Sequence, residues 1–194
     1  MTGIILAGGK NSRMGRKKAF INVEGNTIID RILAIFKEVF LEVIIVSNTP
    51  EDFSYTGLKV VTDIIPDKGP LGGLYTGLVN MKYERCFVVA CDMPYISKSL
   101  VKYIIDIPRY DIIVPKIDGL YEPLFACYSR RCANLAKRQM EEGNLRITDI
   151  YSYFTVKEIY EDEIRKFDSS MRSLVNINTP EDVFGKYKFK HSGT

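Results

Sequence analysis

The chain has 194 residues, 46% of them hydrophobic, with twelve Tyr, ten Phe and a formal net charge of +3. That length fills one core or at most two very small ones, and the composition excludes a disordered chain. So mild a charge does not by itself imply a nucleic-acid partner. The basic residues are instead clustered, at 10–18 and in the tail KYKFKH.

In chain order, GIILA (3–7) is a short apolar run ending at Gly8 and Gly9, which suits a buried parallel strand. Lys10, Arg13, Arg16, Lys17 and Lys18 follow within nine residues, with no negative charge among them. A loop that only turned the chain would not need that charge, so the stretch calls for an anion. Asn26 or Thr27 can cap a helix whose apolar face is Ile28, Ile29, Ile32, Leu33 and Phe36. EVIIVS (42–47) and LKVVTD (58–63) read as strands, GPLGGLYTGLVNM (69–81) as a glycine turn followed by a helix, and RCFVVACD (85–92) as the most apolar strand.

Ser97 caps KSLVKYIIDI, and DIIVP (111–115) and EPLFACY (122–128) are further strands. RRCANLAKRQMEEG is a helix stopped by Gly143, and 154–159 is a short edge strand. The string NTPED occurs at 48–52 and at 178–182. Thr, then Pro, then acids is a helix start, so two helix starts explain the coincidence without an internal duplication. Alternating strands and helices without a linker predict a three-layer α/β fold with a mostly parallel, Rossmann-like sheet. The expected layout is a single domain over 1–185 and a basic tail over 186–194.

No apolar run is long enough to span a bilayer, and Gly8, Gly9 and the basic run interrupt the first apolar stretch, so no leader is expected. The expectation is a cytoplasmic protein with no membrane partner. The four cysteines, Cys86, Cys91, Cys127 and Cys132, form two C-x4-C pairs unlike a zinc knuckle, and the single histidine is His191. They are expected to be buried and to act as small apolar side chains.

In open parallel sheets, ligands sit beyond the carboxyl ends of the strands. Gly8 and Gly9, Asn48, Asp63 and Asp92 each follow one of the first four strands, so they should meet on one rim. Glycine loops let backbone N–H groups approach an anion, lysine and arginine neutralise it, and an aspartate can hold a metal. The loop is neither a Walker A sequence, because Asn11 follows Lys10 and Ile4 takes the upstream glycine position, nor a G-x-G-x-x-G fingerprint. A nucleic-acid binder using the basic loop would lack an aromatic platform beside it.

The stretch does resemble the nucleotidyltransferase pattern LAGG-x-x-x-R-M-G-x-x-K, here Leu6-Ala7-Gly8-Gly9, Arg13-Met14-Gly15 and Lys18. GPLGGL (69–74), CDMPYI (91–96), EPLFACY (122–128) and VNINTPEDV (175–183) are similar, in order, to blocks of the molybdenum cofactor guanylyltransferase family. The resemblance covers about residues 3–185. It implies transfer of GMP from Mg-GTP to the phosphate of molybdopterin with release of pyrophosphate, and no nucleic-acid partner. Molybdoenzymes or delivery proteins would take up the product.

Carried over residue by residue, the resemblance implies catalytic roles for Arg13, Lys18 and Asp92. Nucleotide contacts fall on Leu6, Ala7, Gly8, Gly9, Lys18, Asn48, Asp63 and Asp92, with Asp92 as the Mg2+ ligand. Asn176 and Asn178 fall on the pterin side. The family often has aspartate where Lys17 stands, and GPLAG where this chain has GPLGG. Two other readings stay open: a nucleotidyltransferase of the same fold using CTP or a sugar phosphate, and a non-catalytic nucleotide-binding module.

Overall fold

The computed structural model describes residues 1–8 and 18–177. Its central sheet uses β1 (Thr2–Leu6), β4 (Glu42–Val46), β5 (Lys59–Val61), β6 (Arg85–Ala90), β7 (Ile112–Ile117), β9 (Phe125–Ser129) and β10 (Val156–Ile159). Their order across the sheet is β10-β7-β9-β6-β1-β4-β5, and the two-residue β8 (Leu120–Tyr121) pairs with β7 outside that path. β1 lies parallel to both β4 and β6, β4 to β5, and β10 to β7, whereas β9 is antiparallel to both β6 and β7. The sheet is therefore mostly parallel, as the alternating pattern predicts, with β9 and the short β8 reversed and with residues 156–159 at its edge.

Period-two alternation sends the side chains of each strand to two separate cores. Ile5, Ile45, Phe87, Val89 and Phe125 pack on one face with α1 (Ile28–Val39) and α3 (Lys98–Asp106). Ile4, Leu6, Ile44, Val88 and Ala126 pack on the other with α2 (Gly69–Asn80) and α4 (Cys132–Glu141). α1, α3 and α4 each begin or end where their sequences signal. Thr27, not Asn26, caps α1 by accepting from the Asp30 N–H, and Ser97 caps α3 by accepting from the Leu100 N–H. Gly143 follows α4 with φ +83°, a left-handed conformation that favours glycine. All four cysteines are buried and unbridged, and burial pushes the thiols of Cys91, Cys127 and Cys132 up to about 12.

Several boundaries differ from the expectation. LKVVTD is a strand only over Lys59–Val61, and RCFVVACD only to Ala90, so Asp63 and Asp92 stand in the loops beyond their strands. EPLFACY is a strand only from Phe125, because Glu122 accepts the Phe125 N–H and closes a turn first. The glycines of GPLGGL are not a turn before a helix: α2 starts at Gly69 and contains them. A Cβ on Gly77 would fall 2.8 Å from Ile4 Cδ1, and one on Gly73 3.3 Å from Leu6 Cδ2, so these glycines let α2 lie close against β1. At the first NTPED, Thr49 makes no side-chain cap, and Pro50–Thr56 is a 3-10 helix. The second NTPED and the basic tail lie outside the described residues.

Several short pieces, β8 among them, were not legible. A hairpin of β2 (Asn22–Val23) and β3 (Asn26–Thr27), turned at Glu24 and Gly25, both with positive φ, leads directly into α1. One turn of helix, α5 (Glu161–Arg165), follows β10.

Candidate functional site

The ends of β6, β1, β4 and β5 are neighbours, so the residues after them form one continuous rim. Backbone bonds carry the sheet past its last paired residues: Ala7 N–H donates to Val46 O at 2.9 Å, Ser47 N–H to Val61 O at 2.9 Å, and Cys91 N–H to Leu6 O at 3.0 Å. Leu6 is buried, Ala7 half-buried and Gly8 exposed, so the chain rises out of the core at the first glycine of the motif. Gly9 and Arg13 lie outside the described residues.

Asn48 and Asp63 hold each other across this rim. Asn48 Nδ2 donates to Asp63 Oδ2 at 2.8 Å, and the Asp63 N–H donates back to Asn48 Oδ1 at 3.0 Å. Two loops from adjacent strands thereby become one polar unit, which lowers the cost of ordering either on a ligand. These two residues do meet, as their places after adjacent strands predict.

Asp92 lies in the turn after β6, half-buried, and Lys18 Nζ donates to its Oδ2 at 3.3 Å. Lys18 itself opens a 3-10 turn whose Ala19 is buried, so the end of the basic loop is fastened to the core. The Ile177 N–H donates to the Asp92 carbonyl at 2.8 Å. That bond brings 175–177 alongside Asp92 and leaves Asn176 exposed beside it. Asn178 lies outside the described residues.

Glu122 is the residue that sequence reasoning passed over, although it sits in the quoted EPLFACY. Its N–H donates to Pro115 O at 3.0 Å and its carbonyl accepts the Phe125 N–H at 3.1 Å, so the backbone is fixed on both sides. Burial, and then repulsion from Asp92, push its carboxyl up to about 7. A glutamate before a proline at the start of a strand is an ordinary turn in sequence. Only the antiparallel run of β9 beside β6 carries it to the Asp92 end of the sheet.

A carboxyl held near 7 when folded and at its ordinary 4.5 when unfolded destabilises the fold as the pH rises above 4.5. The penalty grows to about pH 7 and then levels off. Metal-free Glu122→Gln is therefore expected to exceed wild type in stability by about 2–3 kcal/mol at pH 8, with the gap closing toward pH 4. Urea unfolding at several pH values measures this. A Gln variant less stable than wild type at pH 8 would mean that the ionised carboxylate is well satisfied where it sits.

Among the described residues, no group of three or more His, Cys, Asp or Glu could hold a metal by itself. The donor set at the rim is carboxylate oxygen. That suits a hard divalent cation, which can be held by one or two carboxylates together with the oxygens of a bound phosphate.

Residues 3–153 match the model of the MobA-like NTP transferase domain. A protein named probable molybdenum cofactor guanylyltransferase from Natranaerobius thermophilus is 40% identical over 190 residues, covering 94% of this chain and 93% of that one. The molybdenum cofactor guanylyltransferase of Desulfosudis oleivorans is 37% identical over 186 residues, covering 94% and 92%. The crystal structure of molybdopterin-guanine dinucleotide biosynthesis protein A from Archaeoglobus fulgidus superposes with a TM-score of 0.82 at 26% identity, over 95% of both chains. Strand order, rim chemistry and these likenesses agree, and the chain belongs to the MobA-like NTP transferase family, as a nucleotidyltransferase.

Proposed function

We propose that this protein transfers GMP from GTP to the terminal phosphate of molybdopterin, releasing pyrophosphate and forming the guanine dinucleotide cofactor. The observation that carries this reading is the meeting of Lys18 and Asp92 on the rim of the parallel strands, 3.3 Å apart. The relatives' names point the same way. An ammonium beside a carboxylate at strand ends is what a triphosphate with a divalent cation requires.

In the proposed reaction an oxygen of the acceptor phosphate forms a new bond to the α-phosphorus of GTP. The bond from that phosphorus to the oxygen bridging the α- and β-phosphates breaks, and its electron pair leaves with pyrophosphate. The attacking oxygen is already ionised at neutral pH, so no general base is needed, and the chain's own work is positioning and charge neutralisation. Leu6, Ala7, Gly8 and Gly9 carry the backbone to the nucleotide. Lys18, with Arg13, neutralises phosphate oxygens. Asn48 and Asp63, locked together, hold the nucleoside end, and Asn176 and Asn178 border the pterin side.

Asp92 would hold Mg2+, which when bound supplies charge neutralisation at the phosphates. The substrates diffuse, and no helix among the described residues is long and apolar enough to cross a membrane. A cytoplasmic enzyme that hands its product to molybdoenzymes or delivery proteins fits that chemistry.

Pyrophosphate release is the test, run with GTP, ATP, CTP and UTP and with and without molybdopterin. The expected result is release with GTP that depends on molybdopterin and Mg2+. Equal or greater product with CTP would reject the guanylyl assignment, and absence of release with every nucleotide would favour a binding module.

A further inference from the structure

We propose that Glu122 is a second carboxylate of the divalent-cation site, facing the same ion as Asp92. The inference rests on the nucleotidyl-transfer reading and adds to it a residue that the motif did not supply. Three observations converge on it.

The first is placement. β6 and β9 pair antiparallel with Val88 opposite Ala126 and Val89 opposite Phe125, and the Ala90 N–H continues the ladder by donating to Leu124 O at 3.0 Å. Each step outward along β6 is matched by a step back along the partner, so the same count brings Asp92 level with Glu122. The turn over 122–125 bends the chain at that point, closed by the Phe125 N–H donating to Glu122 O at 3.1 Å.

The second is rigidity. Glu122 is pinned through its N–H to Pro115 and through its carbonyl to Phe125, and Phe125 is fully buried. A ligand carboxylate needs a backbone fixed in this way, because a mobile one loses entropy on binding.

The third is lack of satisfaction. Among the described residues, no hydrogen bond or ion pair reaches the Glu122 carboxylate, although it is half-buried. The ammonium of Lys18 is engaged by Asp92, at 3.3 Å. A desolvated carboxylate beside another carboxylate is costly by itself and becomes favourable when a divalent cation lies between them. One carboxylate more also raises affinity for a hard cation, since ligand charge tunes such sites.

The experiment is a titration of Mn2+ alone, followed by its electron paramagnetic resonance signal, on wild type, Glu122→Gln, Glu122→Asp and Asp92→Asn. The nucleotide-free and GTP-loaded proteins are both titrated, and thermal melting confirms folding. Glu122→Gln is expected to weaken Mn2+ at least about tenfold, with a melting temperature no lower than wild type. Glu122→Asp, whose carboxylate is one methylene shorter, should lose less and serves as the test variant if Glu122→Gln does not fold.

Mn2+ affinity unchanged in a folded Glu122→Gln would overturn the inference. If Asp92→Asn alone were affected, a one-carboxylate site would remain and the nucleotidyl-transfer reading would stand. Wild type that bound neither Mn2+ nor GTP would remove both.

Discussion

Asp92→Asn is expected to give a protein that folds and melts nearly as wild type does but transfers nucleotide at least about a hundredfold more slowly. The substitution keeps the shape of the side chain and most of its hydrogen-bonding capacity. It removes the charge that the cation and Lys18 both answer. Two features of the structure argue that the fold will tolerate it. The bond that secures the neighbouring segment runs from the Ile177 N–H to the Asp92 backbone carbonyl, which the substitution leaves in place.

The ion pair to Lys18, with side-chain exposures of 24% and 22%, contributes on the order of 1 kcal/mol or less to stability. Asparagine can still accept a hydrogen bond from the lysine. The competing view makes Asp92 a turn residue ahead of Pro94, and it requires the opposite: a lower melting temperature with transfer mostly kept. Thermal melting and pyrophosphate release measured on the same preparation separate the two. A variant that stayed both stable and active would remove Asp92 from the cation site.

What could be read from the sequence divides along a physical line. The strands, α1 and α3 were legible because burial on two faces imposes an apolar run or a 3.6-residue period, and because Thr27 and Ser97 announce helix starts. The rim was legible for the same reason: where an apolar run stops, the next polar residue is at the sheet edge, which placed Asn48, Asp63 and Asp92. α2 was misjudged because its glycines suggest a turn when read locally. Their reason is tertiary, the close approach to Ile4 and Leu6, and nothing within residues 69–81 states it.

Glu122 was missed for a related reason. Its importance comes from β9 running antiparallel beside β6, a pairing between residues more than thirty positions apart that no local pattern encodes. The hairpin before α1 escaped because two-residue strands carry too little periodicity to register.

Lys18→Ala should weaken binding of the triphosphate by about tenfold or more, from the roughly 1.5–3 kcal/mol that a hydrogen bond to a charged group contributes. Lys10→Ala should change it little. Both lysines belong to the same basic cluster and carry the same charge; Lys10 lies outside the described residues, and the expected difference rests on how Lys18 is held. Lys18 begins a 3-10 turn in which its carbonyl accepts the Ile21 N–H at 3.1 Å, and Ile21 in turn accepts the Ile28 N–H at the start of α1. Ala19 is buried in the core, and Phe20 stacks on Phe53 with ring centroids 5.3 Å apart.

The backbone under Lys18 is therefore set before any ligand arrives, and the ammonium already stands at Asp92. Little entropy is lost when it turns to a phosphate oxygen. Lys10 occupies a position that the nucleotidyltransferase pattern leaves open, and its contribution is expected to be that of one unspecific charge, screened within about 8 Å at physiological salt. Calorimetric titration of GTP at two salt concentrations distinguishes the cases, because a screened field fades with salt whereas a seated contact largely persists. Equal, small and salt-sensitive losses in the two variants would make the loop a diffuse basic patch and take Lys18 out of the assigned machinery.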